Sequence, residues 1–204
     1  MSIRHHLTDA LLMAYAAGTL PEAFALVAAT HVSMCDTCRA TLAAFDAVGG
    51  AVLEACAPEM MSAGSLNATL ARLDRPVLIP AQTPLEGYIG GDLAAVKWRS
   101  IGMGVRQAIL PTSRTATARL LYIPAGQAVP DHGHRGTELT LVLQGAFADE
   151  RDAFGPGDLE IADQEVKHTP KARPGMACIC LAATDAPLRF TSLLPRLLQP
   201  LFRI

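Results

Sequence analysis

The chain of 204 residues is half hydrophobic and carries a net charge of only −2, which is apolar material enough for a real core or for two small ones. No run of Lys or Arg reaches four residues, which argues against a nucleic-acid surface, and the apolar stretches are too short and interrupted to span a membrane. The opening MSIRHHLTD carries acid and histidine where a secretory signal needs an apolar core, and five cysteines, an odd number, argue against a disulfide framework, so a cytoplasmic protein is expected.

Residues 1–73 read as a helical unit rich in Ala, Leu and Met. Thr8 or Asp9 caps a first helix carrying Leu11, Leu12 and Tyr15, and Gly18 ends it. Pro21-Glu22 fits the first turn of a second helix, running through Phe24, Leu26 and Val27 toward His31. A third runs from about Cys35 to Glu54, broken or ended at Gly49-Gly50. Ser65 caps a fourth with Leu66, Leu70 and Leu73. Residues 74–84 contain Pro76, Pro80 and Pro84 and read as an extended linker. From 85 to 195, ahead of a tail to 204, short apolar runs are divided by Gly and Pro. They are Val96–Ser100, Val105–Leu110, Ala118–Ile123, Glu138–Leu143, Leu159–Ala162, Ala177–Ala182 and Leu188–Thr191, spaced as in a sandwich or barrel. The expected fold class is therefore α + β with two domains, a small helical bundle followed by an antiparallel β-barrel.

The first chemical signal is His31-x-x-x-Cys35-x-x-Cys38. Residues three and four apart share a helical face, so these three side chains converge on one point. Zinc accepts such nitrogen and sulfur donors in a tetrahedron, and a structural site needs a fourth. Only His5 and His6 lie upstream; His6, nearer the helical segment, is preferred. A metal here would stabilise a bundle whose own core is small. A reactive dithiol without metal is the competing reading.

The second signal is Gly126, then His132-Gly133-His134, Glu138 and Gly145, followed by the turn Gly157-Asp158 and His168. His132 and His134 alternate as on a strand and face the same way, and Glu138 returns on the neighbouring segment. Three imidazoles and one carboxylate suit zinc or another divalent ion among Mn, Fe, Ni and Cu. All six histidines fall in or beside the two proposed sites, His5 as the neighbour of His6. Residues 126–145 resemble the first motif of the cupin family, and the later turn with His168 resembles its second, with Lys171 where the usual Asn stands. The resemblance spans roughly 85–192 and implies a jelly-roll barrel with His132, His134, Glu138 and His168 as metal ligands.

A metal-binding cupin alone points to an enzyme, a dioxygenase or isomerase with a fused helical regulatory domain. The helical unit weighs against that. With its upstream histidine and His-x-x-x-Cys-x-x-Cys pattern it is similar to the zinc-binding anti-sigma domain of bacteria. Joined to a cupin, and with Arg4-His5-His6 and the run Ala128 to His134, the whole chain resembles the ChrR family of anti-sigma factors. That resemblance implies a non-enzymatic regulator. It would hold a sigma factor of the extracytoplasmic-function type through its zinc-bound helices and release it on a singlet-oxygen-type oxidative signal sensed at the cupin metal. The helices carry more apolar surface than so small a bundle hides, which fits a partner-binding role. The helix at 65–73 is either an arm across that partner or packs on the other helices. Cys178-x-Cys180 places both sulfurs on one face of a strand, as oxidant targets or as plain core. Cys56 reads as packing.

Overall fold

The computed structural model describes residues 2–73 and 83–190. Five α-helices come in chain order: α1 (Asp9–Ala16), α2 (Glu22–Met34), α3 (Asp36–Glu54), α4 (Ser65–Leu73) and α5 (Glu86–Ile89). Thr8 caps α1, its hydroxyl accepting from the Leu11 N–H at 3.3 Å. Gly18, at φ 66°, ends that segment in the left-handed region that suits glycine. Cys35 alone separates α2 from α3; its extended backbone (φ −115°, ψ 108°) breaks one helix and caps the next. The break expected at Gly49-Gly50 does not occur, and α3 runs through both glycines to Glu54. Each glycine costs a helix only about 1 kcal/mol, and the Ala and Val residues around the pair keep the hydrogen-bond ladder intact.

The linker expected at 74–84 lies, apart from Thr83 and Pro84, outside the described residues. Those two lead into α5 through reciprocal bonds, Thr83 N–H to the Glu86 carboxylate and Glu86 N–H to the Thr83 carbonyl. The strand expected at Val96–Ser100 begins late: residues Leu93–Ala95 form a 3₁₀ turn capped by the Asp92 carboxylate, which delays it.

Twelve strands follow: β1 (Arg99–Gly102), β2 (Val105–Ile109), β3 (Thr117–Ile123), β4 (His132–Gly133), β5 (Glu138–Gln144), β6 (Phe147–Ala148), β7 (Ala153–Phe154), β8 (Leu159–Ala162), β9 (Lys167–His168), β10 (Lys171–Ala172), β11 (Cys178–Thr184) and β12 (Arg189–Phe190). Every pairing between them is antiparallel. Six form one sheet in the order β1-β2-β3-β11-β5-β8, and two three-stranded sheets, β10-β6-β7 and β12-β4-β9, complete the β-domain.

Period-two alternation assigns the two faces of the large sheet. Val105, Ile123, Val142, Cys178 and Cys180 turn inward and meet Phe147, Phe154 and Ala172 of a small sheet. Leu120, Leu139, Leu141, Leu159 and Leu181 turn outward, and the helices cover them. This explains why α2 is apolar around more than one face. Phe24, Leu26 and Val27 belong to a single core that includes both Leu12 of α1 and the outer leucines of the sheet. Polar contacts edge the seam: Tyr88 Oη donates to Glu22 at 2.8 Å, and the Ser113 N–H to the same carboxylate at 2.7 Å.

The second half of α3 and all of α4 take no part in this. Val48, Val52 and Leu53 are exposed, and α4 buries none of its residues, Leu66 and Leu73 being 69% and 74% exposed. Of the two readings of residues 65–73, packing on the other helices is therefore not what the structure holds. No helix among the described residues is long and apolar enough to cross a membrane.

Candidate metal centres

The first cluster forms where three elements meet. His6 precedes α1, His31 lies near the end of α2, and Cys35 and Cys38 straddle the start of α3. His6 Nδ1 is 3.3 Å from Cys35 Sγ and 3.7 Å from Cys38 Sγ, and His31 Nε2 is 3.2 Å from Cys38 Sγ. The four donor atoms all lie within 4.8 Å of one another. A tetrahedral ion with bonds of about 2.0–2.3 Å separates its ligands by roughly 3.3–3.8 Å, so the set fits one metal. His5, the competing candidate, turns away and pairs with Asp152 at 3.0 Å.

Tautomers are set from outside the cluster. His31 Nδ1 lies 3.0 Å from the Gly157 carbonyl, 126 residues away in the β-domain. A carbonyl only accepts, so Nδ1 carries the hydrogen and Nε2 turns its lone pair to the sulfurs. Burial lowers the His31 pKa, against the pull of that carbonyl, and so favours the neutral ligand form. Burial also pushes the Cys38 thiol up to about 11, so an ion binding there must displace its proton.

The second cluster lies inside the β-domain. His132 on β4 pairs directly across from His168 on β9, and His134 follows one residue after β4. His168 Nε2 is 3.3 Å from His132 Nε2 and 3.3 Å from His134 Nε2, and all three rings are buried. Burial lowers the pKa of His132 and of His134, against the charge of Glu138. The neutral rings of His132 and His134 turn lone pairs to the point that His168 Nε2 also faces, where a cation would meet three nitrogen donors once His168 gives up its proton. The Pro130 carbonyl holds His132 Nδ1 at 2.9 Å, again leaving Nε2 for the ion.

Glu138 stands beside this set rather than in it. Its Oε1 accepts from the Thr140 hydroxyl at 3.0 Å, and its Oε2 is 3.8 Å from His134 Nδ1, the ring nitrogen turned away from the other two histidines. His134 Nδ1 is buried with no hydrogen-bond partner.

Two carboxylates that the motif did not single out hold the far side of His168. Its Nδ1 is 2.9 Å from Asp149 and 3.0 Å from Glu160. Burial alone would lower His168, but Glu160 and Asp149 outweigh it and raise it to about 9. Burial would raise Asp149 too, yet the N–H groups of Asp152 and Arg151 together with His168 hold it at about 2. Glu160 is raised, chiefly by burial, against the pull of His168. This is the carboxylate–histidine arrangement that fixes a metal-binding ring. Glu160 is readable as a lone acid among apolar neighbours in Leu159–Ala162; nothing in the spacing marks Asp149, which arrives through a turn.

The two inward cysteines, Cys178 and Cys180, are buried in the interior core with their sulfurs 3.4 Å apart. Cys56 is exposed, not packed.

Known proteins share this architecture. Residues 87–186 match the family model of the ChrR cupin-like domain. Over the full length of both chains, the protein is 63% identical to the anti-sigma-E factor ChrR of Cereibacter sphaeroides. It also superposes on the crystal structure of Rhodobacter sphaeroides SigE in complex with the anti-sigma ChrR, with a TM-score of 0.83 and 65% identity, covering 90% of this chain and all of that one.

Proposed function

The chain belongs to the ChrR family of anti-sigma factors, and on that premise we propose that it sequesters a sigma factor of the extracytoplasmic-function type through its helical unit and frees it when oxidative chemistry of the singlet-oxygen kind reaches the β-domain. The observation that carries this reading is the apolar surface of α3 and α4. Val48, Val52, Leu53, Leu66, Leu70 and Leu73 are exposed, whereas Leu12, Phe24, Leu26 and Val27 of α1 and α2 are buried in the core shared with the sheet. An amphipathic helix with an uncovered face is built to lie along a partner.

In this reading zinc occupies both centres. At His6, His31, Cys35 and Cys38 it ties the segment before α1 to the junction of α2 and α3, and so shapes the surface that the partner meets. At His132, His134 and His168 the second ion is bound inside the β-domain. Glu138, now held by the Thr140 hydroxyl, would be the carboxylate to join the three histidines, and the same donors would suit another divalent ion. The chain divides into a helical unit at 1–73, a linker at 74–84 and a cupin domain at 85–195.

Co-expression of the full chain with its sigma factor tests the core of this. A stoichiometric complex, and loss of transcription from the sigma-dependent promoter on adding the chain, is the expected result. Failure to copurify, together with unimpaired transcription, refutes it.

A further inference from the structure

The metal centre of the helical unit does not end at the helical unit. Its immediate surroundings come from the turn Gly155-Pro156-Gly157-Asp158 that enters β8. The Gly157 carbonyl accepts from His31 Nδ1 at 3.0 Å. Asp158, only 4% exposed, accepts through Oδ1 from the N–H of Arg4 at 2.7 Å and of His5 at 3.0 Å, and through Oδ2 from the N–H of Gly155 at 2.9 Å. The Leu159 N–H then donates to the His5 carbonyl at 3.2 Å. The backbone on both sides of His5, and so the peptide leading into His6, is pinned to this one turn. Gly157 lies at φ 87°, and a Cβ there would come within 2.5 Å of the Ile3 side chain, so the turn and the N-terminal segment are in direct contact. Two of the four ligands thus owe their placement to the β-domain.

We infer that Asp158 is a positioning residue of the His6/His31/Cys35/Cys38 metal centre, acting with the Gly157 carbonyl as its outer shell from the other domain. Asp158 touches no ligand atom; it fixes the extended segment that leads into His6 and holds in place the turn whose carbonyl orients His31. Such outer partners commonly govern metal affinity by about 10–100-fold. The inference rests on the metal reading of this cluster and adds to it that the affinity is set across the domain seam.

The test uses the full chain loaded with cobalt(II). Thiolate-to-cobalt charge-transfer absorption reports the cysteine-containing centre alone, because the other candidate centre has no thiol among its ligands. A chelator titration then gives the affinity of that centre. Asp158→Ala is expected to weaken it by about 10–100-fold. Asp158→Asn, which keeps an acceptor for Arg4 and His5 but sets an amide N–H against the Gly155 N–H, is expected to fall between the parent and Asp158→Ala. Tyr88→Phe serves as the control: it removes a seam hydrogen bond to Glu22 far from the metal and should leave the affinity unchanged. Unchanged affinity in Asp158→Ala overturns the inference. So does equal weakening in Tyr88→Phe, which would reduce Asp158 to one more seam contact. A parent chain with no thiolate–cobalt band overturns the metal reading itself, and this inference with it.

Discussion

His31 and Gly157 are joined by a 3.0 Å hydrogen bond between a ring of the candidate His/Cys metal centre on α2 and a carbonyl in the turn before β8. The bond selects the His31 tautomer, and it lies on a seam whose apolar side is continuous from Leu12 to Leu181. Helices and sheets therefore stand or fall together, which sets the first expectation.

Leu181 is fully buried beneath α2. Leu181→Ala should cost about 2–5 kcal/mol. A shared core predicts that helical and β signals melt in one transition, shifted down as a whole. Circular dichroism in the far ultraviolet, followed beside the near-ultraviolet signal of Trp98, checks this. Two separate transitions, with only the β signal shifted, would contradict it.

The two centres should empty separately. Cys38→Ala should lose about one equivalent of metal and bind the sigma factor poorly, since the α2–α3 junction loses its clamp. His134→Ala should lose about one equivalent from the other centre yet still bind the sigma factor, while failing to release it under singlet oxygen. Metal analysis by mass spectrometry, paired with a transcription assay, separates the outcomes. Loss of inhibition in His134→Ala would argue against the division of labour.

The exposed row on α3 and α4 should be energetically important for binding and neutral for folding. Leu66→Asp or Leu70→Asp should weaken sigma binding by about 1–3 kcal/mol, roughly 5- to 150-fold, at unchanged melting temperature. Titration calorimetry with the purified sigma factor measures it. Affinity within twofold of the parent in both variants rules out α4 as a contact.

In metal-free protein His168 adds a pH signature. Its folded pKa is raised to about 9 from 6.5, so its contribution is complete below 6.5 and is lost as pH rises through 9. Asp149, held at about 2 against 3.8, contributes above 3.8 and loses that contribution as pH falls through 2. The melting temperature of the chelated protein should fall from about pH 6.5 to about pH 9. The fall should shrink in His168→Gln. An equal slope in that variant would assign the effect elsewhere.

Much of this was legible from residue order. The caps and breaks of α1 and α2 follow from Thr8, Gly18 and Pro21, local signals that tertiary packing had no reason to override. The convergence of His31, Cys35 and Cys38 follows from helical spacing, and Cys35, expected at the start of the third helix, is its N-cap. What stayed hidden depended on contacts far apart in sequence. Two-residue strands such as β6 and β9 have no periodicity to detect. Asp149 reaches His168 across 19 residues, and Asp158 reaches Arg4 across 154. No spacing rule encodes such distances. Nor did the helical pattern show that α2 would spend part of its apolar surface on a sheet.

Strand β8 gives the molecule an unplanned economy of parts. Asp158, at its entry, grips the segment that leads to His6; Glu160, two residues on, lies against His168. The Asp158 carbonyl also accepts from the Val142 N–H at 3.0 Å, so one short stretch of chain is fixed to β5 between its contacts with the two candidate metal centres.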